Sequence, residues 1–415
     1  MKALKYLRHI ERTMNPRWFT FRVIFLLCSC VGLGCDDEEI KSTSPETTEQ
    51  RGDRPTGRLV IQEGWYGYLP IGFPTPQVPE DNPMTPEKIE LGKHLFYDLR
   101  LSANETQSCA SCHQPEIAFA DREPRPQGST GDELPRHSMA LVNVAYNSAY
   151  TWSNPALNTL ERQIVVPLLA ETPIELGVTG HEDEVLSRLR EDPIYIRLFT
   201  DAFPQRYEPF TLELVVDALA CFVRSLVSGN SAFDQFTYQG QATLSPEALR
   251  GMELFFSERL ECHHCHGGFN FSFSTTHQNS GFSELTYHNT GLYNLDGAGA
   301  YPAKSSGLFE VTGAPEDMGK FRAPTLRNVA VTSPYMHDGS VATLEEVIRI
   351  YEAGGRVIED GDLAGDGRLN PYKSQFVGGF TLTDTERADL ITFLESLTDP
   401  DFLSDSRFSD PWSTP

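Results

Sequence analysis

Two C-x-x-C-H motifs, about 150 residues apart, constrain this chain more than any other feature of its sequence. A c-type haem is attached through two thiols that react with its vinyl groups, and an imidazole directly after the second thiol reaches the iron. The motifs therefore predict two covalently bound haems c, in which the histidines are iron ligands. The residues of the motifs are Cys109, Cys112, His113, Cys262, Cys265 and His266.

A zinc site built from the four thiolates is the alternative explanation of the same cysteines. It does not account for a histidine directly after each pair, and a Soret absorption band would decide between the two. Of the eight cysteines, three lie in the first 35 residues. Cys221 lies in an apolar helical stretch, where a small core residue is expected. No cysteines therefore remain for a disulfide framework.

The first 35 residues have the layout of a secretory signal. Basic residues precede a short apolar run, Val23 to Leu33, which is too short to span a bilayer as a helix. The run ends at Gly34 and Cys35, a pair that resembles a lipoprotein cleavage site. Lipid attachment through Cys35 and plain secretion therefore both stay open. In either case we expect an exported, periplasmic protein, and attachment would tether it to the membrane.

A weak internal duplication divides the rest of the chain. Residues 85–96 and 245–255 each begin with a hydroxyl residue, Pro and Glu, and continue to Gly-x-x-Leu-Phe. A hydroxyl N-cap with Pro at the first helical position is typical of a helix start. Each copy therefore predicts a helix that leads toward a C-x-x-C-H motif, and the two copies indicate two related domains.

The predicted fold class is mainly α, with two cytochrome-c-like haem domains packed together and long loops. Alternating strand patterns are scarce, whereas Gly- and Asn-rich stretches at 277–307 and 359–379 are typical of loops around a cofactor. The predicted segments are a signal at 1–35, a polar tether and leading segment at 36–79, an N-terminal haem domain at 80–238, a C-terminal haem domain at 239–402 and a tail at 403–415.

The task of a haem protein depends on the sixth ligand of each iron. Near the second motif, Tyr351 shares a helix face with Leu344 and Ile348, because these positions follow helical spacing. On pattern alone, this spacing favours a buried core tyrosine. Near the first motif, the nearest downstream candidates for a sixth ligand are His137 and Met139.

Three longer blocks of sequence carry a resemblance to a known family. They are residues 321–340, which read FRAPTLRNVAVTSPYMHDGS, residues 160–177, and residues 225–234. With the two haem motifs, they make residues 80–400 resemble the bacterial di-haem cytochrome c peroxidases and their MauG-type relatives. The resemblance implies a peroxidase-type oxidoreductase that reacts with hydrogen peroxide.

The resemblance also implies ligands for the two irons. Classical members have a Met where this chain has Tyr351, as MauG-type enzymes do, which makes the phenol an axial ligand of the second haem. Classical members place a blocking His about 16 residues after the first proximal His, and this chain has Ser129 there. The first haem is then open from the start. His137 or Met139 as its cap is the competing interpretation.

Peroxide cleavage needs a group that moves a proton between the two oxygens. By resemblance, Glu175 is the distal acid and Gln163 the distal amide. Their separation is two residues longer than in classical members, so Glu171 stays open as the acid. Trp152 matches the tryptophan that the family places between its haems, where an indole can carry an electron.

The family also holds a calcium ion between its domains, and Thr332 and Pro334 match two of its positions. The position of its asparagine ligand falls on His137, and imidazole is a poor calcium ligand. Asn143 is the alternative. The resemblance therefore implies a calcium site that lacks one of its usual ligands in this sequence.

Three functions remain in competition. In the first, the electrons for peroxide come from a residue on a partner protein, as in the subgroup containing MbnH, which residues 288–302 resemble. MauG itself takes such electrons through a Trp that is replaced here by Leu260, so its substrate is not implied. In the second, a small cytochrome donates the electrons. In the third, the protein is a passive electron carrier. The net charge of −24 argues against a nucleic-acid partner in all three.

Overall fold

Helices dominate the structure, a computed structural model that describes residues 57–62, 64–281 and 286–413. The predicted signal at 1–35 and the first part of the tether lie outside the described residues. The mainly α class is confirmed. The α-helices are α1 (Pro86–Tyr97), α2 (Cys109–Cys112), α3 (Leu160–Leu169), α4 (Glu182–Arg190), α5 (Pro193–Ala202), α6 (Leu212–Arg224), α7 (Ala232–Gln239), α8 (Pro246–Phe255), α9 (Phe309–Thr312), α10 (Leu344–Ala353), α11 (Asp384–Glu395) and α12 (Pro400–Leu403).

Within the described residues, sheet is confined to three short antiparallel pairs. The pairing of β3 with β4 matters for the site, because it places Tyr287 opposite Arg322. The pairs are β1 (Arg58–Gln62) with β2 (Trp65–Leu69), β3 (Tyr287–His288) with β4 (Phe321–Arg322), and β5 (Val357–Ile358) with β6 (Gly365–Asp366).

The duplicated segments form equivalent helices, α1 and α8. The hydroxyl of Thr85 accepts a hydrogen bond from the Lys88 N–H at 3.2 Å, and the hydroxyl of Ser245 accepts one from the Ala248 N–H at 3.1 Å. Each cap therefore satisfies one of the amide groups that the first turn of a helix leaves without a partner. Helix α1 packs against α6, and α8 packs against α11.

A glycine in each copy permits this close helix packing. A Cβ atom added at Gly92 would lie 2.0 Å from the carbonyl oxygen of Ala218 on α6. A Cβ atom added at Gly251 would lie 1.9 Å from the carbonyl oxygen of Asp389 on α11. The Gly in each Gly-x-x-Leu-Phe repeat therefore has the same function, because only a residue without a side chain lets the two backbones approach.

We expect Gly92→Ala to destabilise the protein by about 1–3 kcal/mol, because the added methyl group forces α1 away from α6. The free energy of unfolding, measured by denaturant titration of the haem-loaded protein, checks this. Gly281→Ala is the control, since nothing lies within 4 Å of its added Cβ atom. A control effect as large as that of Gly92→Ala would contradict the packing argument.

A buried ion pair fixes the start of the 321–340 block. The guanidinium of Arg327 donates to both carboxylate oxygens of Asp234 at 2.8 and 3.0 Å, and both side chains are 1% exposed. Arg327 also donates to the carbonyl of Phe269, which follows the second motif. The pair therefore joins α7, the segment after the second motif, and the 321–340 block.

Long irregular segments surround the second motif, as predicted. Asn289 donates to the carbonyl of Met318 at 2.9 Å, and Asn370 donates to that of Tyr293 at 2.8 Å, so side-chain amides replace a sheet ladder there.

From residue 57 onward the chain forms one compact unit, and the boundary at 238/239 stays a prediction. Among the described residues, no helix has the length and apolar character needed to cross a bilayer.

Candidate active site

The two motif histidines are oriented by backbone carbonyl groups. The Nδ1–H of His113 donates to the carbonyl of Phe119 at 2.8 Å, and the Nδ1–H of His266 donates to that of Pro324 at 3.1 Å. This fixes the tautomer and leaves Nε2 of each ring as the lone-pair donor for a metal. Burial lowers the pKa of both rings, that of His266 to about 4, so both are neutral.

The motif cysteines are largely surrounded by protein and partly shielded from solvent, as expected for residues attached to an apolar group. Burial raises the pKa of the Cys109 thiol to about 12 and that of Cys265 to about 11, so neither is a ready thiolate. In the described part of the chain, the two cysteine pairs do not come together as a group of metal ligands. This arrangement argues against the four-thiolate zinc site and fits two separate haems.

A cavity of about 250 Å³ lies beside the second motif. Cys262, Cys265 and His266 line one part of its wall, and Leu344 and Tyr351 from α10 line another. The predicted inward face of α10 therefore faces this cavity. Burial and the nearby thiols raise the pKa of the Tyr351 phenol, so its protein surroundings favour the neutral form.

The charge of one buried arginine indicates whether the residues of this cavity fit a haem. Arg322 is 2% exposed and lines the cavity, and its Nη1 has no hydrogen-bond partner among the described residues. Its Nε–H donates only to the carbonyl of Thr151 at 3.2 Å, and burial lowers its pKa to about 10. A buried cation needs an anion. The propionate groups of a haem are anions of this kind, so the residues present fit the predicted cofactor.

The predicted distal acid lies beside the first motif. The Glu175 carboxyl is half-buried and acts electrostatically on the thiols of Cys109 and Cys112. Desolvation raises the pKa of Glu175 to about 7. Glu171, the alternative acid, is exposed to solvent. The structure therefore favours Glu175 as the group that acts near the first haem.

The predicted distal amide lies on α3. Gln163 is half-buried, and its Oε1 is buried without a hydrogen-bond partner among the described residues. A buried amide oxygen of this kind is expected to meet a polar ligand or water. The role of Gln163 at the first haem stays a prediction.

The segment that would carry a blocking histidine packs against Glu175. The N–H of Ser129 donates to the carbonyl of Glu175 at 2.7 Å, and the Asn104 side chain donates to the carbonyl of Ser129 at 2.7 Å. A Cβ atom added at Gly128 would lie 1.8 Å from the carbonyl of Ile174. The segment is therefore held by its backbone, and it offers a short hydroxyl where an imidazole would be needed to reach an iron.

The competing caps of the first iron have partners of their own. The Nδ1–H of His137 donates to the carbonyl of Glu123 at 3.0 Å, and the sulfur of Met139 accepts from Arg322 at 3.7 Å. Both side chains line the cavity beside the second motif. The Met139 contact favours packing, whereas the bond at Nδ1 of His137 leaves its Nε2 for other partners, and His137 is near enough to His113 to lower its pKa, so His137 as a cap stays a prediction.

Trp152 lines the cavity beside the second motif. Its indole N–H donates to the carbonyl of His137 at 2.9 Å, and its own carbonyl accepts from the Arg322 N–H at 2.8 Å. It packs against the cluster that contains Tyr301 and Phe321 and lines the cavity together with His266. The role of Trp152 as an electron carrier stays a prediction.

The structure gives the calcium prediction little support. Thr332 and Pro334 line the cavity, and the Thr332 hydroxyl donates to the carbonyl of Val329 at 3.2 Å. The Asn143 side chain donates to the carbonyl of Ser228 at 2.9 Å and accepts from its N–H at 2.8 Å. This pairing disfavours Asn143 as a calcium ligand, and the site stays a prediction.

Known proteins resemble this chain over most of its length. A profile of the family described as di-haem cytochrome c peroxidase matches residues 86–243. The methylamine utilization protein MauG of Methylorubrum extorquens is 33% identical over 77% of this chain and 80% of its own length. The chain belongs to the di-haem cytochrome c peroxidase/MauG family. It is therefore an oxidoreductase of that family, and membership implies two haems.

Two further relatives are similar to this chain in sequence, and one of them also in structure. Cytochrome c551 peroxidase of Pseudomonas aeruginosa is 30% identical over 65% of this chain and 72% of its own length. A crystal structure described as a MauG-like protein associated with microbial copper homeostasis is 49% identical and covers 84% of this chain and all of that chain, with a TM-score of 0.82. The resemblance inferred from the motifs is thus confirmed at the level of the family.

Proposed function

We propose that this protein activates hydrogen peroxide at an open N-terminal haem and draws electrons through a C-terminal haem held by His266 and Tyr351. A residue on a partner protein supplies those electrons. One observation carries the proposal: Tyr351 shares a cavity wall with His266, whereas Ser129 occupies the position where a blocking histidine would stand. If the second iron has a sixth ligand and the first does not, peroxide can bind only at the first iron, and the second iron only passes electrons.

In this proposal, Glu175 moves the proton and Gln163 orients the peroxide. A carboxylate with a pKa of about 7 takes a proton from one peroxide oxygen and returns it to the other near neutral pH. The Gln163 amide orients the peroxide beside it. Each haem, when bound, supplies an iron that changes its oxidation state by one electron. The protein supplies the proton path and excludes water from it.

In this proposal, Trp152 carries electrons between the two haems. Its indole is held by the carbonyl of His137 at 2.9 Å and lies on the wall shared with His266, so it can pass an electron without moving. The backbone N–H of Arg322 donates to the Trp152 carbonyl, and Arg322 lines the same cavity. The backbone N–H of Arg322 thus holds the main chain of Trp152, and the guanidinium offers a counter-charge to a haem propionate.

The reaction with peroxide should slow as the pH falls through about 7. The pKa of Glu175 is raised, so the carboxylate form that accepts the proton is lost below about pH 7 and complete above it. Stopped-flow rates between pH 5.5 and 9, followed at the Soret band, measure this. A rate that is constant or rises toward low pH would exclude Glu175 as the base.

The proposed function is tested by adding hydrogen peroxide to the oxidised protein with no reductant present. A prompt change in the haem spectrum is expected, because no ligand must leave the first iron. A change only after a small cytochrome supplies an electron would identify a classical cytochrome c peroxidase. No change under either condition would identify a passive carrier. Either of these two outcomes overturns the proposal.

We infer that the partner protein meets this enzyme outside the cytoplasm. The signal-like segment at 1–35 supports export to the periplasm, and Cys35 supports a lipid tether. The 49% identity to a MauG-like protein associated with microbial copper homeostasis supports a partner that handles copper. Fractionation of the full-length protein, with Cys35→Ala as the matched variant, distinguishes a tethered from a free form.

A further inference from the structure

A group of histidine and glutamate side chains lies beside the second haem motif and takes no part in haem attachment. Glu258, His263 and His264 each offer one ligand atom, and these atoms lie within 4.8 Å of one another. In the described part of the chain, no other group of three or more His, Cys, Asp or Glu residues meets this condition. Glu261 adds a second carboxylate, whose Oε2 lies 2.7 Å from Nε2 of His264.

The distances match those between ligands of one metal ion. Oε1 of Glu258 lies 3.5 Å from Nε2 of His263, and its Oε2 lies 3.4 Å from Nε2 of His264. Around a tetrahedral ion with bonds of about 2.0–2.1 Å, neighbouring ligand atoms are about 3.3 Å apart. Glu258 therefore already stands at ligand spacing from both imidazoles, and small rotations would bring three donors onto one ion.

The backbone around the group is held in place. Glu261 has a φ of 60°, a left-handed conformation that costs free energy in a residue with a side chain. Its N–H nevertheless donates to the carbonyl of Ser257 at 3.1 Å, and its carbonyl accepts from the His264 N–H at 3.2 Å. The conformation thus presents the Glu261 carboxylate to His264, and the donors need little reordering to bind an ion.

The His264 ring is fixed from its other side. It stacks on Phe376 with ring centroids 4.6 Å apart and planes 8° from parallel. Phe376 in turn lines the cavity that holds Tyr351 and His266. An ion at this group would therefore lie at the wall of that cavity, which Glu261 also lines.

We propose that Glu258, Glu261, His263 and His264 bind one divalent first-row transition-metal ion, with Cu²⁺ held more tightly than Zn²⁺. Two imidazoles with carboxylates suit Cu²⁺ and Zn²⁺, whereas Ca²⁺ and Mg²⁺ prefer oxygen donors alone. For a given set of nitrogen and oxygen ligands, affinity is higher for Cu²⁺ than for Zn²⁺. The ion offsets the charge of the two carboxylates.

A bound ion would act on the second haem through its charge. Two positive charges beside the haem attachment site favour the reduced form of the nearby iron, so the reduction potential of that haem should rise when the ion binds. This effect needs no change in the haem ligands. It provides a readout that a simple surface ion pair between histidine and glutamate would not give.

Titration of the haem-loaded, tag-free protein with Cu²⁺ alone and with Zn²⁺ alone tests the proposal. One ion per chain is expected, with electron paramagnetic resonance of bound Cu²⁺ showing coupling to two imidazole nitrogens. Glu258→Gln and His264→Gln should each weaken binding at least tenfold. Glu258 is exposed and lies outside the haem motif, so its variant retains both haems even if His264→Gln disturbs attachment.

His181→Gln is the matched control, because His181 pairs with a single carboxylate, Glu184, at 3.2 Å on the surface of α4. Its binding of Cu²⁺ should equal that of the unaltered protein. The proposal is overturned if no one-to-one binding occurs, or if Glu258→Gln binds as tightly as the unaltered protein. It is also overturned if His181→Gln causes the same loss, or if the potential of the second haem does not move on binding.

Discussion

Glu175→Gln is expected to slow the reaction with hydrogen peroxide by about 10²–10⁴-fold, the usual contribution of a positioned acid–base group. Glutamine keeps the shape of the side chain but cannot take a proton from one oxygen and return it to the other. The raised pKa of Glu175 is caused by burial beside the first motif, so no solvent-exposed carboxylate replaces it. Stopped-flow rates with excess peroxide at pH 8, where the carboxylate is ionised, measure the loss.

Glu171→Gln is the matched control for this prediction. Glu171 is exposed and stood as the alternative acid on sequence grounds, so its replacement should leave the rate within about twofold. Both variants should keep the Soret spectrum of the oxidised protein, which shows that haem attachment is intact. If Glu171→Gln gave the large loss and Glu175→Gln did not, the assignment of the two acids would be reversed.

Local sequence signals were sufficient to predict the helices that precede the two motifs and the helix that carries Tyr351. The hydroxyl caps and prolines at 85–86 and 245–246 start α1 and α8 where the structure has them. The capping box of Thr343 with Glu346 starts α10, and the apolar spacing on that helix places Tyr351 on its cavity face. These features depend on interactions within one or two turns, so a sequence is enough to specify them.

The features that the sequence left open depend on contacts between distant segments. Glu171 and Glu175 could not be distinguished by spacing, because the burial of Glu175 comes with the packing of the 128–129 segment against it. Arg322 lies in the 321–340 block, but its sequence context does not reveal that its Nη1 is buried without a hydrogen-bond partner among the described residues, because this depends on how its neighbours pack. The ion pair between Asp234 and Arg327 likewise spans 93 residues.

The group of histidines and glutamates proposed to bind a metal ion could not be predicted from the sequence for a different reason. His263 and His264 are the two variable residues of a C-x-x-C-H motif, and the haem explanation of that motif assigns them no role. Their relation to Glu258 depends on the turn after α8 and on the left-handed conformation of Glu261. A non-glycine residue in that conformation is not signalled by composition, so the group could be recognised only in the fold.

Tyr351→Met is expected to raise the reduction potential of the second haem by an amount on the order of 100 mV or more. Phenolate is an anionic oxygen donor that stabilises oxidised iron, whereas a thioether favours reduced iron. Tyr351 lines the same cavity as His266, and the proposed function makes its phenol the second ligand of that iron. Spectroelectrochemical titration of the haem-loaded protein measures the potentials of the two haems separately.

Tyr335→Phe is the control for this substitution. Tyr335 lines the same cavity, but its hydroxyl donates to the carbonyl of Val329 at 3.1 Å and is thus a structural group. Its loss should leave both potentials within experimental error. If Tyr351→Met also left them unchanged, Tyr351 would be a packing residue, and the second iron would need another ligand. The proposed electron path through that haem would then be wrong, and Trp152 would be the one proposed electron carrier left.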